Sequence, residues 1–221
     1  MTLFDTALNT QQFLMAMAQT FNMVGIALII GTFLGLLMGI ALVLTRPDGI
    51  VPNALIYRLL NPLVNVIRSL PFIILLVAII PFTRSIVGTS IGTTAAIVPL
   101  VIYIGPYIAR LVENSLLSVH AGIIEAAESM GASTWQVVWH FILPEAKASL
   151  ILSLTTACIT LVGASAMAGA VGGGGVGDLA LNYGYQRFDN VAMLITVVTL
   201  IILVQGIQWA GDRWALKTRQ H

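Results

Sequence analysis

The sequence predicts an all-α, polytopic membrane protein with five transmembrane helices and a helical loop on the cytoplasmic side. Of its 221 residues, 58% are hydrophobic and 9% are charged, whereas an average soluble domain has roughly 45–50% apolar and 25% charged residues. The mean hydropathy is +0.96. So few charges could not cover the surface of a soluble globule, and this composition also excludes a disordered chain. We therefore expect a single membrane domain over residues 1–221.

Long apolar runs locate the spans, because a helix needs about 20 mostly apolar residues to cross a bilayer. Prolines in the second and third runs remove helix N–H donors and predict kinks there. These prolines are Pro71, Pro81, Pro99 and Pro106. The five predicted spans lie at about residues 20–44, 59–82, 87–110, 148–171 and 191–211.

A glycine repeat marks the first span. Gly31, Gly35 and Gly39 recur every four residues, and this doubled GxxxG pattern lets another helix approach closely. The approaching helix belongs either to the same chain, which gives ordinary helix packing, or to a second copy, which gives a dimer.

The distribution of Arg and Lys orients the spans, because basic residues accumulate on the cytoplasmic side of a membrane protein. With the C-terminus in the cytoplasm, only Arg84 and Arg187 lie outside. The basic residues inside are then Arg46, Arg58, Arg68, Arg110, Lys147, Arg213, Lys217 and Arg219. The sequence therefore predicts an N-terminus outside and a C-terminus in the cytoplasm.

A cytoplasmic loop at about residues 118–144 joins the third and fourth spans. Its apolar residues recur at helical spacing in two groups, each far too short to cross a membrane. Gly131 separates the groups, and Ser133 with Gln136 fits a capping box at the start of the second helix. The groups are Ile123, Ile124, Ala127 and Met130, then Trp135, Val138, Trp139 and Phe141. Apolar side chains exposed on a small loop predict a docking partner.

Several functions are disfavoured by what the sequence lacks. A net charge of +1 provides no basic surface for nucleic acid. The glycines at 172–175 do not belong to a GxxxxGK[ST] phosphate loop, because neither Lys147 nor Lys217 follows a glycine. Any ATP-driven work therefore requires another subunit to hold the nucleotide.

Catalytic and metal-binding patterns are also missing from the sequence. His120, His140 and His221 show neither HExxH nor Cys/His ligand spacing. The single cysteine, Cys158, cannot form an internal disulfide and is interpreted as a reduced packing thiol. We expect no catalytic residue, no metal site and no cofactor on this chain.

The loop resembles a known family in both its letters and their spacing. Glu125-Ala126-Ala127, three residues, Gly131, nine residues and Phe141-Ile142-Leu143-Pro144 are similar to the EAA-x3-G-x9-I-x-L-P loop of bacterial ABC-importer permeases. Phe141 stands where the family has isoleucine. The resemblance implies an ABC-importer permease fold and an ATPase-coupling interface. The residues it assigns to that interface are Glu125, Ala126, Ala127, Gly131, Phe141, Leu143 and Pro144.

A finer resemblance extends from Thr45 to Arg213. The stretches 68–76, 80–84 and 161–172 are similar to permeases of the D/L-methionine ABC importers. This resemblance implies two identical permeases in a bacterial inner membrane, two cytoplasmic ATPase subunits that bind ATP and Mg, and an extracytoplasmic methionine-binding lipoprotein. It also implies import of D- and L-methionine by alternating access.

Other functions remain open from the sequence. The same class of transporter could carry another small amino acid or a short peptide. From other classes, an ATP-independent channel or a structural membrane subunit would need no ATPase.

Met167 is predicted as a pore gate. It is a flexible side chain among the small residues at 163–169, including Ser165, and methionine can repack without leaving a rigid cavity. In a two-fold pore, two copies of Met167 could meet near the axis, with Ser165 beside them. The alternative is ordinary helix packing.

Overall fold

A computed structural model describes residues 8–219, and in this range the chain is helical with no strand. The all-α prediction is confirmed. Two π-helical turns, Val137–Ile142 and Ala180–Tyr185, interrupt the α-helices. The α-helices are α1 Thr10–Thr45, α2 Ala54–Ser69, α3 Phe72–Ala78, α4 Ile80–Val87, α5 Thr93–Leu117, α6 Ala121–Ser129, α7 Thr134–Gln136, α8 Leu143–Gly169, α9 Val176–Leu179 and α10 Asn190–Arg219.

Four apolar helices in the described range are long enough to cross a membrane. Three of them are α1, α5 and α10. The fourth is a continuous helix of 36 residues, Thr134–Gly169, in which α7, the first π-helical turn and α8 follow one another without a break. A fifth apolar crossing is obtained when α2 and α3 are counted as one bent span.

The second predicted span, 59–82, is wrong as a continuous helix. The chain bends by 106° between α2 and α3, and α4 begins separately after Ile79. Leu70 is extended, with φ −82° and ψ 130°, because the ring of Pro71 disfavours a helical conformation in the residue before it. The prolines therefore break this segment as well as kink it.

The third helix also differs from its predicted bounds of 87–110. It begins at Thr93, after Gly88 and Gly92 with φ of 81° and 98°, and it continues to Leu117. The predicted run stopped at the charge of Arg110. In the structure Arg110 pairs with Glu113, so each charge is compensated and the helix continues past both of them.

Helix α1 packs on α5 through its glycines. A Cβ on Gly35 would lie 2.6 Å from Ile108, and a Cβ on Gly39 would lie 2.7 Å from the Ala109 carbonyl oxygen. Gly31, Gly35 and Gly39 are all buried. The glycine repeat thus serves packing within the chain. Dimerisation through this face is wrong, because α5 of the same chain already occupies it.

Gly35→Ala should destabilise the protein, whereas Gly25→Ala on the same helix should not. The new methyl group at position 35 would overlap Ile108 and the Gly105 carbonyl oxygen, and such overpacking typically costs about 1–3 kcal/mol. A Cβ at Gly25 meets no atom within 4 Å. Thermal unfolding of the purified protein measures the difference. Equal melting temperatures for the two variants would contradict close packing at Gly35.

Candidate functional site

Helix α6 presents one face to the outside and one to the core. It begins at Ala121, and the preceding residue His120 caps it, because His120 Nδ1 accepts a hydrogen bond from the Gly122 amide at 3.1 Å. Glu125 and Ala126 are exposed. Ala127 is fully buried and packs in the hydrophobic core. Of these three predicted interface residues, Glu125 and Ala126 are available to a partner, and Ala127 holds the helix against the protein.

A tight turn at Gly131 ends α6. Gly131 has φ +78°, a left-handed conformation that glycine adopts without steric cost. The Gly131 amide donates to the Glu128 carbonyl at 2.9 Å, and the Ala132 amide donates to the Ala127 carbonyl at 3.1 Å. This pair of bonds is a Schellman motif, which satisfies the last carbonyls of a helix. The turn fixes the direction in which the chain leaves α6.

The second arm of the loop starts at the predicted capping box, which is confirmed. The Ser133 amide donates to Gln136 Oε1 at 2.8 Å, and the Gln136 amide donates to Ser133 Oγ at 3.4 Å. A π-helical turn follows, in which the Leu143 amide donates to the Val138 carbonyl five residues back. Pro144 comes next and lacks an N–H, so it cannot continue the ordinary ladder.

The remaining predicted interface residues fall into two groups, one half-buried and one exposed. Phe141 and Leu143 are half-buried and pack against the core, whereas Gly131 and Pro144 are exposed. The structure therefore places Glu125, Ala126, Gly131 and Pro144 on the outer surface. The other three members of the motif, Ala127, Phe141 and Leu143, connect the loop to the helices behind it.

Exposed apolar groups and two depressions surround α6. The rings of Trp135 and Trp139 are in contact at a tilt of 51°, with centroids 5.1 Å apart, and Met130 is 72% exposed. A depression of about 420 Å³ lies between Gly131 and Phe141. On the other side, a cleft of about 360 Å³ is lined by charged side chains. Those side chains are Arg46, Asp48, Glu125 and Glu128. Such a surface suits a protein partner with its own projections.

A partly buried polar cluster joins α2 and α5. The Arg110 guanidinium donates to Glu113, and also to Asn61 Oδ1 and Asn65 Oδ1 at 2.7 Å each. The Glu113 side chain is only 6% exposed. Our sequence reasoning missed this cluster. The available signals were the spacing of Arg110 and Glu113, three residues apart at the end of an apolar run, and that of Asn61 and Asn65, four apart.

Three serine hydroxyls connect α5 to α8 at the same end of the molecule. Ser115 Oγ lies 2.9 Å from Ser153 Oγ, and Ser149 Oγ donates to Ser115 Oγ at 3.0 Å. Ser115 is 2% exposed. Hydrogen bonds between apolar helices stabilise their association. The serine hydroxyls therefore hold α5 and α8, the helices on either side of the loop, together close to the loop.

The two predicted gate residues lie in different environments. The Met167 side chain is 51% exposed and projects from α8. Ser165 is 2% exposed, and its hydroxyl donates to the Val162 carbonyl at 2.8 Å. Ser165 therefore faces the interior of its own chain, and Met167 alone is available to an open path or to a second copy.

The glycine-rich segment after α8 lies at the end of the molecule opposite α6. The amides at its C-terminal end bind side chains of α1, because Gly175 N donates to Gln19 Oε1 at 2.8 Å and Val176 N donates to Thr20 Oγ1 at 2.9 Å. A Cβ on Gly175 would lie 2.7 Å from Thr20 Oγ1. The glycines thus permit close approach to α1.

Titratable groups in the described range do not gather into a metal-binding cluster. Burial raises the pKa of Asp178 above its usual value, and a hydrogen bond from Asn182 partly opposes this. Among residues 8–219, no three His, Cys, Asp or Glu side chains converge as metal ligands would. His221 lies outside the described residues.

Comparison with known proteins gives a consistent result. The family model described as binding-protein-dependent transport system inner membrane component matches residues 31–215. A probable D-methionine transport system permease protein, MetI of Vibrio cholerae, is 51% identical over 206 residues, covering 93% of this chain and 92% of the relative. The D-methionine transport system permease protein MetI of Escherichia coli K12 is 51% identical over 151 residues, covering 68% and 70% respectively.

Solved structures share the fold. A chain from the MetNI methionine ABC transporter in an inward-facing conformation has a TM-score of 0.92 and 47% identity, and the match covers 95% of this chain and 97% of that one. An amino acid ABC transporter crystallised with histidines has a TM-score of 0.79 at 18% identity, which shows a common fold. With a family model matching most of its length and relatives above half identity, the chain belongs to the binding-protein-dependent transport system inner membrane components.

Proposed function

We propose that this chain is the permease subunit of an ATP-driven importer that carries methionine, in both D and L forms, across the bacterial inner membrane. The observation that carries this proposal is the near-complete structural match to a MetNI chain at 47% identity. Relatives named for D-methionine transport at about 51% identity support the substrate.

The proposed assembly has two copies of this chain, two ATPase subunits and an extracytoplasmic methionine-binding lipoprotein. ATP and Mg would bind the ATPase, because neither lysine of this sequence follows a glycine as a phosphate loop requires. The chain itself is a transport subunit and not an enzyme.

We infer that the ATPase engages α6 and the Gly131 turn. Glu125 and Ala126 face outward there. Because Ala126 and Gly131 are small, α6 could insert deeply into a groove of the ATPase. The Schellman turn and the buried Ala127 hold α6 as a rigid element. A rigid shift of α6 would then move α5 and α8 together, through the serine hydroxyls at their base, as alternating access requires.

The proposed topology places the C-terminus in the cytoplasm and the N-terminus outside. It follows from the excess of Arg and Lys on one side of the five spans. A reporter active only in the cytoplasm should work when fused after His221 and fail when inserted at Thr89, between α4 and α5. The opposite pair of results would contradict this orientation.

Uptake of labelled methionine tests the function and the docking surface together. A strain lacking its methionine permease should recover uptake with this chain and its ATPase and binding protein. Gly131→Asp should reduce uptake to background while the protein still inserts, because the new carboxylate would lose its water in the ATPase groove without gaining a partner.

Gly131→Asn is the matched control. Asparagine has nearly the size of aspartate and also tolerates a left-handed backbone, so this variant should retain measurable uptake. Normal uptake by Gly131→Asp would remove Gly131 from the interface. Recovery of uptake for a different amino acid, but not for methionine, would overturn the substrate assignment.

Met167→Ala should increase ATP-independent leak of a small solute from proteoliposomes several-fold. In the proposed dimer, two Met167 side chains close the path, and alanine is too short to meet its twin. Met167→Leu, which keeps the apolar bulk, should leave the leak unchanged. If both variants behave like the unaltered protein, and a cysteine at position 167 does not cross-link to its twin, Met167 is a packing residue.

A further inference from the structure

An open apolar groove runs along the outside of the molecule between α1 and α10. Its first part, of about 610 Å³, lies between Phe13–Phe21 on α1 and Thr199–Ala210 on α10. Its second part, of about 290 Å³, reaches Thr32, Cys158 and Trp214. Ile207 and Ala210 line both parts, so the groove is continuous.

The groove is long enough to hold an acyl chain. From Phe13 to Thr32 an α-helix rises roughly 28 Å, about twice the depth that one leaflet contributes to a hydrocarbon core of roughly 30 Å. Its lining is predominantly apolar. A Cβ on Gly206, which lines its first part, would meet no atom within 4 Å. The chain itself therefore does not fill the groove.

Unpaired positive charge lies at one end of the groove. Arg213 and Lys217 follow Ala210 at helical spacing, which places Lys217 on the groove side of α10 one turn beyond Arg213. Both are exposed, and neither forms a salt bridge with a described residue. Asp212 lies on the opposite side of the helix, where Gln208 donates to it at 2.8 Å.

Aromatic residues set the depth of this charged end. Trp209 and Trp214 are 60% and 64% exposed, and the Arg213 guanidinium carbon lies 4.3 Å from the centroid of the Trp209 ring. Exposed tryptophans are typical of the boundary between hydrocarbon and headgroups. The cations therefore lie at the height of lipid phosphates, directly beyond the apolar groove.

We propose that this groove is a binding site for an anionic phospholipid, with an acyl chain between α1 and α10 and the headgroup at Arg213 and Lys217. The lipid belongs to the leaflet at the C-terminal end of α10. A second copy is the less suitable occupant, because a two-fold contact through this groove would bring the same unpaired cations of both copies together. The proposal does not depend on which solute is transported.

Quenching of tryptophan fluorescence by brominated lipids tests the site. The full-length chain with Trp135→Phe and Trp139→Phe keeps Trp209 and Trp214 as its only tryptophans. In phosphatidylcholine vesicles, brominated phosphatidylglycerol at low mole fraction should quench several-fold more than brominated phosphatidylcholine does. Arg213→Gln with Lys217→Gln should abolish this preference, and the matched control Arg58→Gln, at an exposed cation on α2, should keep it.

The acyl-chain part of the site has a separate test. Gly206→Leu should fill the groove and reduce the phosphatidylglycerol preference with both cations intact. Equal quenching by the two lipids in the parent protein, or a preference that survives loss of both cations, would overturn the proposal. A disulfide between two copies at Gly206→Cys, in a Cys158→Ser background, would place a second copy in the groove and also overturn it.

Discussion

The contact between α1 and α5 is the interaction on which the other helices depend. In hydrocarbon, apolar surface gains little by leaving lipid for protein, so helices associate through close packing and hydrogen bonds. Gly31, Gly35 and Gly39 let the α1 backbone approach the backbone of α5. Ile104 and Ile108 of α5 are fully buried as a result. More than half of the apolar window of α5 is buried, against about a tenth for α10, so the packing is centred on α5.

Polar groups then specify how the remaining helices lie on this pair. Arg110 contacts Glu113 on its own helix and Asn61 and Asn65 on α2. These bonds favour one orientation of α2, although the buried Arg110 Nε has no partner among the described residues. Gln19 and Thr20 do the same for the glycine-rich segment by accepting from its amides. Away from water an unsatisfied polar group costs several kcal/mol, and each of these bonds therefore discriminates against alternative packings.

Sequence reasoning recovered features with a local cause. The capping box at Ser133 and Gln136 depends on residues three positions apart, and the turn at Gly131 depends on one glycine. It failed where helix bounds and side-chain exposure depend on contacts that the sequence pattern alone does not show. Arg110 ended the predicted third span because its local partner Glu113, three residues on, was overlooked, and because its bonds to Asn61 and Asn65 of α2 are tertiary. Ser165 and Met167 are two residues apart, yet they face in different directions. Helix geometry alone puts residues two apart on different faces, but which of the two faces the core depends on how α8 lies among its neighbours.

If it moves as a rigid rod, the continuous helix Thr134–Gly169 would act as a lever. Trp135 and Met167 lie near its two ends, separated by about 48 Å of helix rise. A tilt of about 10° around the midpoint of a rod of this length displaces each end by roughly 4 Å. That is about the width of a methyl group, so modest work on one side of the bilayer can reposition a side chain near the other. Ser149 and Ser153 of α8, whose hydroxyls bond Ser115 of α5, flank the midpoint of this rod and would serve as the fulcrum.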